Sequence, residues 1–255
     1  MDTITKIIPE AIKVSPVCGY CGKEKTPQEI EFMGIKKTVW ADACNCYHEM
    51  FIKTEKEKHV EFLKNKFQSA NIGKRYENIT LESLIKLKTE HTEDAEKYIK
   101  EFNPESGKGL HFIGEFGNGK TSVGHAILKK LLPDYNCLFI TWNEFVTRCN
   151  YAKSYDSEET IEQILNWISK FDLVMLDEFV INTRYETEIN LACELFDRWY
   201  RDNKCYILIN NPCDIEEMTN IKKLGKLFDR VYEQTTKHIF KNKSYRRQVY
   251  GGKYD

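Results

Sequence analysis

The stretch "GEFGNGKT", from Gly114 to Thr121, constrains the fold of this chain more than any other. It matches the pattern G-x-x-x-x-G-K-[ST] in full, follows the apolar run "GLHFIG", and precedes the helix-like run "KTSVGHAILKKLL". Glycines let successive backbone N–H groups approach phosphate oxygens, and the N-terminus of a following helix adds its own unpaired N–H groups. In this strand–loop–helix context the pattern predicts a nucleotide-phosphate site.

The residues of this loop are predicted to bind a nucleoside triphosphate and its magnesium ion. Lys120 supplies a point charge to the β and γ phosphates, and the Thr121 hydroxyl coordinates Mg²⁺. The other predicted contacts come from the loop and the first helical turn: Gly114, Gly117, Asn118, Gly119 and Ser122. A chance glycine turn before a helix is the alternative, and the flanking runs make it the weaker one.

From residue 108 onward, short apolar runs alternate with amphipathic helical runs. "GLHFIG", "CLFITW", "DLVMLDEF" and "KCYILINNP" predict buried strands with helices between them. Strands that alternate with helices pair in parallel. We therefore expect an α/β domain whose sheet is covered by helices on both faces.

Polar residues follow two of these predicted strands. Asp177 would hold the magnesium ion through water, and Glu178 would orient and deprotonate the attacking water. Such acid pairs also end ordinary strands, but this one lies about 55 residues after the phosphate loop. At the next strand end, the amide of Asn210 or Asn211 would position the lytic water, although Asn-Asn-Pro is also typical of a turn. Together these features predict an ATP- or GTP-hydrolysing domain.

The order of these motifs, followed by "KLFDRVYEQTTKHIFKNKSYRR", resembles the AAA+ ATPases and, within them, bacterial and phage replicative helicase loaders of the DnaC/DnaI type. The resemblance covers residues 68–250, where "NIGKRYENITLESL" resembles the lead-in to the ATPase core. It implies that Asn211 is the first sensor and Arg246 the second. It also implies that Arg230 is the arginine finger, which reaches the γ-phosphate bound by a neighbouring subunit. A weaker match assigns a further arginine role to Arg198.

The resemblance implies an ATP-dependent loader of the hexameric replicative helicase that self-associates through its AAA+ domain and contacts single-stranded DNA. The chain departs from many loaders in having "DEFV" after the strand, which lacks the usual glycine and leaves the local turn open to question. An alternative is a transposition-helper ATPase of the IstB type, which binds duplex DNA and recruits a transposase. A small-molecule kinase is a third interpretation, but we find no arginine-bearing lid insertion for it.

Four cysteines lie in a turn-rich segment near the N-terminus. "CGYC" (Cys18, Cys21) and "CNC" (Cys44, Cys46) are separated by 22 residues, and two close pairs can place four thiolates around zinc. A segment of about 35 residues has too small a core to fold alone, so bound metal would stabilise it. Because the second pair is closely spaced, His48 is an alternative to Cys46. A redox Cys-x-x-Cys competes with this interpretation, but no βαβ pattern surrounds it.

The region before the ATPase core is predicted to be a separate module. Residues 48–67 are typical of a charged helix with a thin apolar stripe. We expect residues 1–67 to form a zinc-binding module with a connector helix and residues 68–255 to form the AAA+ domain. The resemblance implies that the module contacts the helicase.

Composition narrows the class of protein. The chain has 30% charged and 41% apolar residues and nine cysteines. Without an export signal or a long apolar stretch, these features favour a cytoplasmic protein with reduced thiols and no membrane partner. Residues 220–255 hold ten Lys or Arg against three acids, a balance of +7, interleaved with tyrosines. This end is compatible with nearby DNA, and a solvated lysine-rich surface explains it equally well.

Overall fold

The structure, a computed structural model, describes residues 17–32, 35–41, 44–154 and 157–244. The chain divides into two compact units, residues 1–62 and 63–255. The predicted domain boundary at residue 67 stays a prediction. Arg246 lies outside the described residues, and the side chain of His48 lies outside the described side chains.

The described part of the first unit contains a tight turn, a hairpin and the beginning of a helix. Val17 and Glu24 pair across the turn. Strands β1 (Thr26–Phe32) and β2 (Ile35–Ala41) are antiparallel, with Thr26 opposite Ala41. Helix α1 (Cys46–Ser69) then begins two residues after Cys44 and is the charged helix that the sequence predicts over 48–67.

The second unit contains a short lead-in and then the predicted alternation of strands and helices. The lead-in consists of a 3-10 turn (Lys74–Tyr76), α2 (Leu81–Lys86) and α3 (Thr92–Glu101). The elements that follow are β3 (Gly109–Gly114), α4 (Lys120–Leu131), β4 (Cys137–Thr141), α5 (Trp142–Tyr151), α6 (Ile161–Ile168), β5 (Leu173–Asp177), α7 (Glu186–Arg201), β6 (Cys205–Asn210), α8 (Pro212–Thr219), α9 (Lys222–Gln234) and β7 (Thr235–Phe240).

These strands form one parallel sheet in the order β4-β5-β6-β3-β7. Strand β6 therefore lies between β3, which leads into the phosphate loop, and β5, which ends in the acid pair. Ile113 pairs with Asn210, and Gly114 pairs with Phe240, so the carboxyl ends of these strands meet at one edge. The five-stranded parallel sheet between helices confirms the predicted α/β fold class.

Alternate residues of β4, β5 and β6 contribute to separate apolar cores on the two faces of the sheet. In β5, Val174 and Leu176 belong to the core beneath α5 to α9, whereas Leu173 and Met175 belong to the core beneath α2 to α4. All four side chains are fully buried, and each such burial stabilises the fold by about 1.5–3 kcal/mol. The near-continuous apolar runs of the sequence are therefore strands covered on both faces.

Several helices begin at residues that satisfy their first N–H groups. Thr141 and Glu144 form a reciprocal capping pair at α5, and Thr160 and Gln163 do the same at α6. Pro212 occupies the first turn of α8, where its missing N–H costs nothing. Across the described residues, no helix combines the length and the apolar character needed to cross a membrane.

Candidate nucleotide site and cysteine cluster

The phosphate loop connects β3 to α4 through two glycines in left-handed conformations. Gly117 has φ +80° and Gly119 has φ +102°, backbone angles that residues other than glycine rarely adopt. Helix α4 begins directly afterwards at Lys120, so the N–H groups of its first turn lack partners within the helix. The backbone conformation is therefore suited to binding an anion at this position.

Lys120 lies over the carbonyl groups of the loop. Its Nζ donates to the carbonyl of Gly114 at 2.5 Å, to the carbonyl of Glu115 at 2.7 Å and to Asn118 Oδ1 at 3.3 Å. The side chain is buried. These contacts hold the ammonium group at the loop, where the sequence predicts a charge for the β and γ phosphates.

The sheet edge brings the start of α4 and the end of β5 together. Thr121 Oγ1 donates a 2.8 Å hydrogen bond to Asp177 Oδ2. Burial raises the pKa of Asp177 above its ordinary value, while the hydrogen bond from Thr121 acts in the opposite direction. A hydroxyl and a carboxylate this close are the oxygen donors that Mg²⁺ prefers, so both residues fit the predicted magnesium site.

Glu178 makes the turn that the sequence left open to question. It takes the left-handed conformation itself, with φ +51°, and its N–H donates to Asp177 Oδ1 at 2.8 Å. The next residue, Phe179, donates from its N–H to the carbonyl of Ile209 at 3.0 Å and is fully buried. No glycine is needed, because the chain accepts a strained residue here, as functional sites often do. The Glu178 side chain is exposed.

The two asparagines at the end of β6 differ in their partners. Asn210 is buried, its Oδ1 lies 2.8 Å from His111 Nε2, and its Nδ2 contacts the carbonyl of Phe179. Asn211 is the cap of α8, and its Nδ2 donates to Asp214 Oδ2 at 2.9 Å. Because β6 separates β3 from β5, both amides lie at the strand end between the phosphate loop and the acid pair. The first-sensor role of Asn211 stays a prediction.

A cleft of about 200 Å³ adjoins the loop and includes residues that the sequence motifs did not identify. It is lined by Arg75, Tyr76, Ile79 and residues 117–122. Lys129 of α4 fixes the lead-in at this cleft by donating to the carbonyls of Tyr76 at 3.2 Å and Ile79 at 2.7 Å, and to that of Glu77. Arg75, Tyr76 and Ile79 belong to the segment "NIGKRYENITLESL". That segment resembles the lead-in of the family but carries no motif that indicates nucleotide binding.

The predicted arginine finger, Arg230, and the more weakly matched Arg198 contact residues of α7 and α6. Arg230 forms an ion pair with Asp197, and its guanidinium lies 5.3 Å from the centre of the Tyr200 ring. Arg198 forms ion pairs with Glu162 at 2.6 Å and Glu194 at 2.8 Å. The contacts described for these arginines do not include the phosphate loop, so the predicted finger role of Arg230 depends on a neighbouring subunit and stays a prediction, as does the role of Arg198.

In the first unit, the four predicted zinc ligands converge. The sulfur atoms of Cys18, Cys21, Cys44 and Cys46 all lie within 4.8 Å of one another. Backbone N–H groups of Tyr20 and Cys21 are the main causes that lower the pKa of Cys18 to about 7, because they favour its thiolate form. Tetrahedral zinc–thiolate sites have metal–sulfur distances of about 2.3 Å, so this cluster fits the ion.

Comparison with known proteins supports the family resemblance. The replicative helicase loader DnaI of Bacillus subtilis (strain 168) is 25% identical over 202 residues, which covers 76% of this chain and 59% of DnaI. The replicative helicase loader DnaC of Escherichia coli (strain K12) is 30% identical over 165 residues, which covers 63% of this chain and 64% of DnaC. The chain thus spans about six tenths of the length of these relatives.

A solved structure of a helicase loader also has a similar fold. The crystal structure of the DnaC helicase loader has a TM-score of 0.56 and 20% sequence identity, and the match covers 66% of this chain and all of that structure. At this identity the likeness shows the fold alone. No family model matches the chain. The predicted resemblance to DnaC/DnaI loaders is confirmed, and the transposition-helper alternative is not favoured.

Proposed function

We propose that this chain, which resembles helicase loaders of the DnaC/DnaI type, loads a replicative hexameric helicase onto single-stranded DNA and couples this step to ATP hydrolysis. The observation that carries the proposal is the 2.8 Å hydrogen bond between Thr121 and Asp177, which joins the phosphate loop to the acid pair. This contact supports the proposal because it brings together the groups that would hold a triphosphate and its metal ion. The likeness to two helicase loaders supplies the biological process.

In this proposal the residues of the loop and the sheet edge have different roles in the binding and hydrolysis of ATP. Gly114, Gly117, Asn118, Gly119 and Ser122 surround the phosphates, and the Lys120 ammonium moves from the loop carbonyls to the β and γ phosphates. Arg75, Tyr76 and Ile79 line the same cleft and contact the nucleoside. When bound, magnesium neutralises charge on the β and γ phosphates. Thr121 and Asp177 hold that ion, and Glu178 accepts the proton of the attacking water.

The proposal assigns the remaining catalytic groups to sensing and assembly. Asn211, between the loop and the acid pair, positions the lytic water. Arg230 leaves Asp197 when a second copy docks and stabilises the charge that develops on the neighbour's γ-phosphate. Arg246 completes the site as the second sensor. Hydrolysis would then depend on self-association through the AAA+ domain.

We further propose that the cysteine cluster binds zinc and that this module contacts the helicase. The convergence of four sulfurs within 4.8 Å supports the metal, and the likeness to DnaI supports the contact. Cys21→Ser should release one equivalent of zinc and abolish co-elution with the helicase while sparing nucleotide binding. Retention of the metal would remove Cys21 from the ligand set. The proposed contact with DNA is supported by the +7 charge of residues 220–255. The cytoplasmic location is a separate matter and stays a prediction.

The loading function is tested with the full chain, a candidate hexameric helicase and circular single-stranded DNA. Wild-type protein with ATP and magnesium should co-elute with the helicase and increase unwinding of an annealed strand. Lys120→Ala should lose nucleotide binding or hydrolysis and with it the increase in unwinding. Lys130→Ala, which removes an exposed lysine of the same helix, should behave as wild type. Failure of wild-type protein to retain labelled ATP would refute the proposal.

A further inference from the structure

Outside the proposed ATP site and the cysteine cluster, three potential metal ligands of the second unit converge. His91 Nδ1 lies 2.9 Å from Asp94 Oδ2, and His238 Nδ1 lies 3.2 Å from the same oxygen. The two Nδ1 atoms are 3.3 Å apart. His91 and Asp94 lie at the start of α3, and His238 lies on β7. The cluster therefore joins two elements that are distant in the sequence.

The hydrogen bonding of His91 places two acceptor atoms against each other when its ring is neutral. His91 Nε2 lies 3.0 Å from the carbonyl of Ile239, and a carbonyl only accepts, so Nε2 carries a hydrogen. In neutral His91 the Nδ1 atom is then an acceptor, and it faces the Asp94 carboxylate, which is also an acceptor. The two groups repel each other unless a proton or a metal ion lies between them.

The distances fit a metal ion. Zinc binds histidine nitrogen and carboxylate oxygen at about 2.0–2.2 Å, which separates neighbouring ligand atoms by about 2.8–3.6 Å at octahedral or tetrahedral angles. The three separations observed are 2.9, 3.2 and 3.3 Å. A histidine that binds a metal also commonly donates its other ring N–H to a carbonyl, as His91 does to Ile239.

The backbone at His91 is a further sign of a constrained site. His91 has φ +60°, a left-handed conformation that residues other than glycine seldom adopt. Such strain persists where surrounding contacts fix it and is common at ligand-binding positions.

We propose that His91, Asp94 and His238 bind a divalent transition-metal ion, with zinc best suited to this set of two imidazoles and one carboxylate. Three protein ligands leave the fourth position of a tetrahedral ion to water. The site is separate from the cysteine cluster and from the proposed magnesium site, and it does not depend on the proposed helicase loading.

Bound metal would anchor the end of β7 beside the phosphate loop. Two residues after His238, the carbonyl of Phe240 accepts from Asn118 Nδ2 of the loop at 3.2 Å. The Glu90 carboxylate next to His91 accepts from the N–H groups of Lys241 at 2.6 Å and Asn242 at 2.9 Å. The ion would therefore strengthen an existing contact between the α3 start and the chain that leaves β7.

The test compares zinc uptake by the untagged full chain and two variants of adjacent carboxylates, after chelation and dialysis at micromolar free zinc. Asp94→Asn should bind one equivalent less than wild type, whereas Glu93→Gln, which changes the exposed neighbour, should bind as wild type does. Zinc should also raise the melting temperature of wild type more than that of Asp94→Asn. Because both proteins keep the cysteines, the difference reports the new site whatever those cysteines bind.

Cobalt gives a second measurement that identifies the ligands. The spectrum of cobalt-loaded wild type minus that of Asp94→Asn should contain the d–d bands of nitrogen and oxygen ligands without a sulfur-to-metal band. A sulfur band in this difference would show that the variant disturbs the cysteine cluster and would overturn the assignment. Equal zinc uptake by wild type and Asp94→Asn would also overturn it and leave a proton as the cation of the cluster.

Discussion

The hydroxyl of Thr121 lies 2.8 Å from the carboxylate of Asp177 and connects the first turn of α4 to the last residue of β5. These residues are 56 positions apart in the chain. They meet because parallel strands end at the same edge of the sheet, with β6 between β3 and β5. The two parts of the proposed magnesium site are thus brought together by strand order.

Replacing Asp177 separates binding of the nucleotide from its hydrolysis. Asp177→Asn keeps the side-chain volume and a group that can bond to Thr121, but it removes the negative charge near the ion. We expect magnesium-dependent ATP hydrolysis to fall by about 10²-fold or more, because the ion provides several kcal/mol of charge stabilisation. Nucleotide binding without magnesium should change little. Thr121→Ser, which keeps the hydroxyl, is the control, and a similar loss of turnover in it would contradict this assignment.

Two substitutions of Glu178 test its catalytic role and its backbone strain separately. Glu178→Gln should bind ATP and lower hydrolysis by about 10²–10⁴-fold, since it removes a general base. Its stability should match wild type, because Gln must adopt the same φ of +51°. Glu178→Gly should lose hydrolysis as well but be more stable by about 1 kcal/mol, since glycine accepts this conformation freely. Urea unfolding and phosphate release measure the two effects, and a Gly variant less stable than the Gln variant would contradict the strain argument.

The phosphate loop and the alternation of strands and helices could be predicted because both depend on local sequence. Glycine spacing selects the loop conformation, and continuous apolar runs mark strands buried on both faces. The contacts across the sheet edge could be expected from the sequence but not established by it, because the packing of the whole domain sets the strand order. The motif alone could not show that Lys129 holds Tyr76 and Ile79 against the cleft.

Side-chain partners were the least predictable part of the site. Asp229 and Glu233 are the acidic neighbours of Arg230 in the sequence, yet the structure pairs Arg230 with Asp197 on α7. Sequence spacing identifies neighbours on one helix but not those on an adjacent helix. The same limit applies to His91 and His238, since their juxtaposition depends on how α3 packs near β7.

His125 makes the stability of the second unit dependent on pH. It is fully buried, its ring stacks 4.0 Å from that of Tyr76, and neither ring nitrogen has a hydrogen-bond partner among the described residues. Burial lowers the pKa of His125 to about 4, against an ordinary value of 6.5. The unfolded chain therefore binds more protons between these values, so stability is complete above about pH 6.5 and falls as the pH decreases toward 4.

His125→Phe should reduce this dependence. Each pKa unit of separation is worth about 1.4 kcal/mol, so wild type should lose much more stability than the variant between pH 7.5 and pH 5. Part of the slope should remain, because burial also lowers the pKa of His111 to about 4. Urea unfolding at both pH values gives the measurement. An unchanged slope in His125→Phe would mean that another group causes the acid sensitivity.

Arg230 and Asp197 provide a matched pair for testing action on a neighbouring subunit. Their side chains are partly exposed, at 36% and 57%, and exposed ion pairs contribute only about 0–1 kcal/mol. Arg230→Ala should therefore leave stability and ATP affinity nearly unchanged but lower turnover by about 10³-fold or more, as expected for an arginine finger. The turnover of wild type should also rise with protein concentration, because in the proposed mechanism a second copy completes the site.

Asp197→Asn is the control because it removes the same ion pair and keeps the arginine. If Arg230 acts on a neighbour, this variant should hydrolyse ATP at least as fast as wild type, since its guanidinium no longer has to leave a carboxylate. Mixing Arg230→Ala with Glu178→Gln should restore part of the activity, because one mixed interface combines an intact Glu178 with an intact Arg230. Equal losses in Arg230→Ala and Asp197→Asn, with no recovery on mixing, would instead show that the residue only stabilises its own subunit.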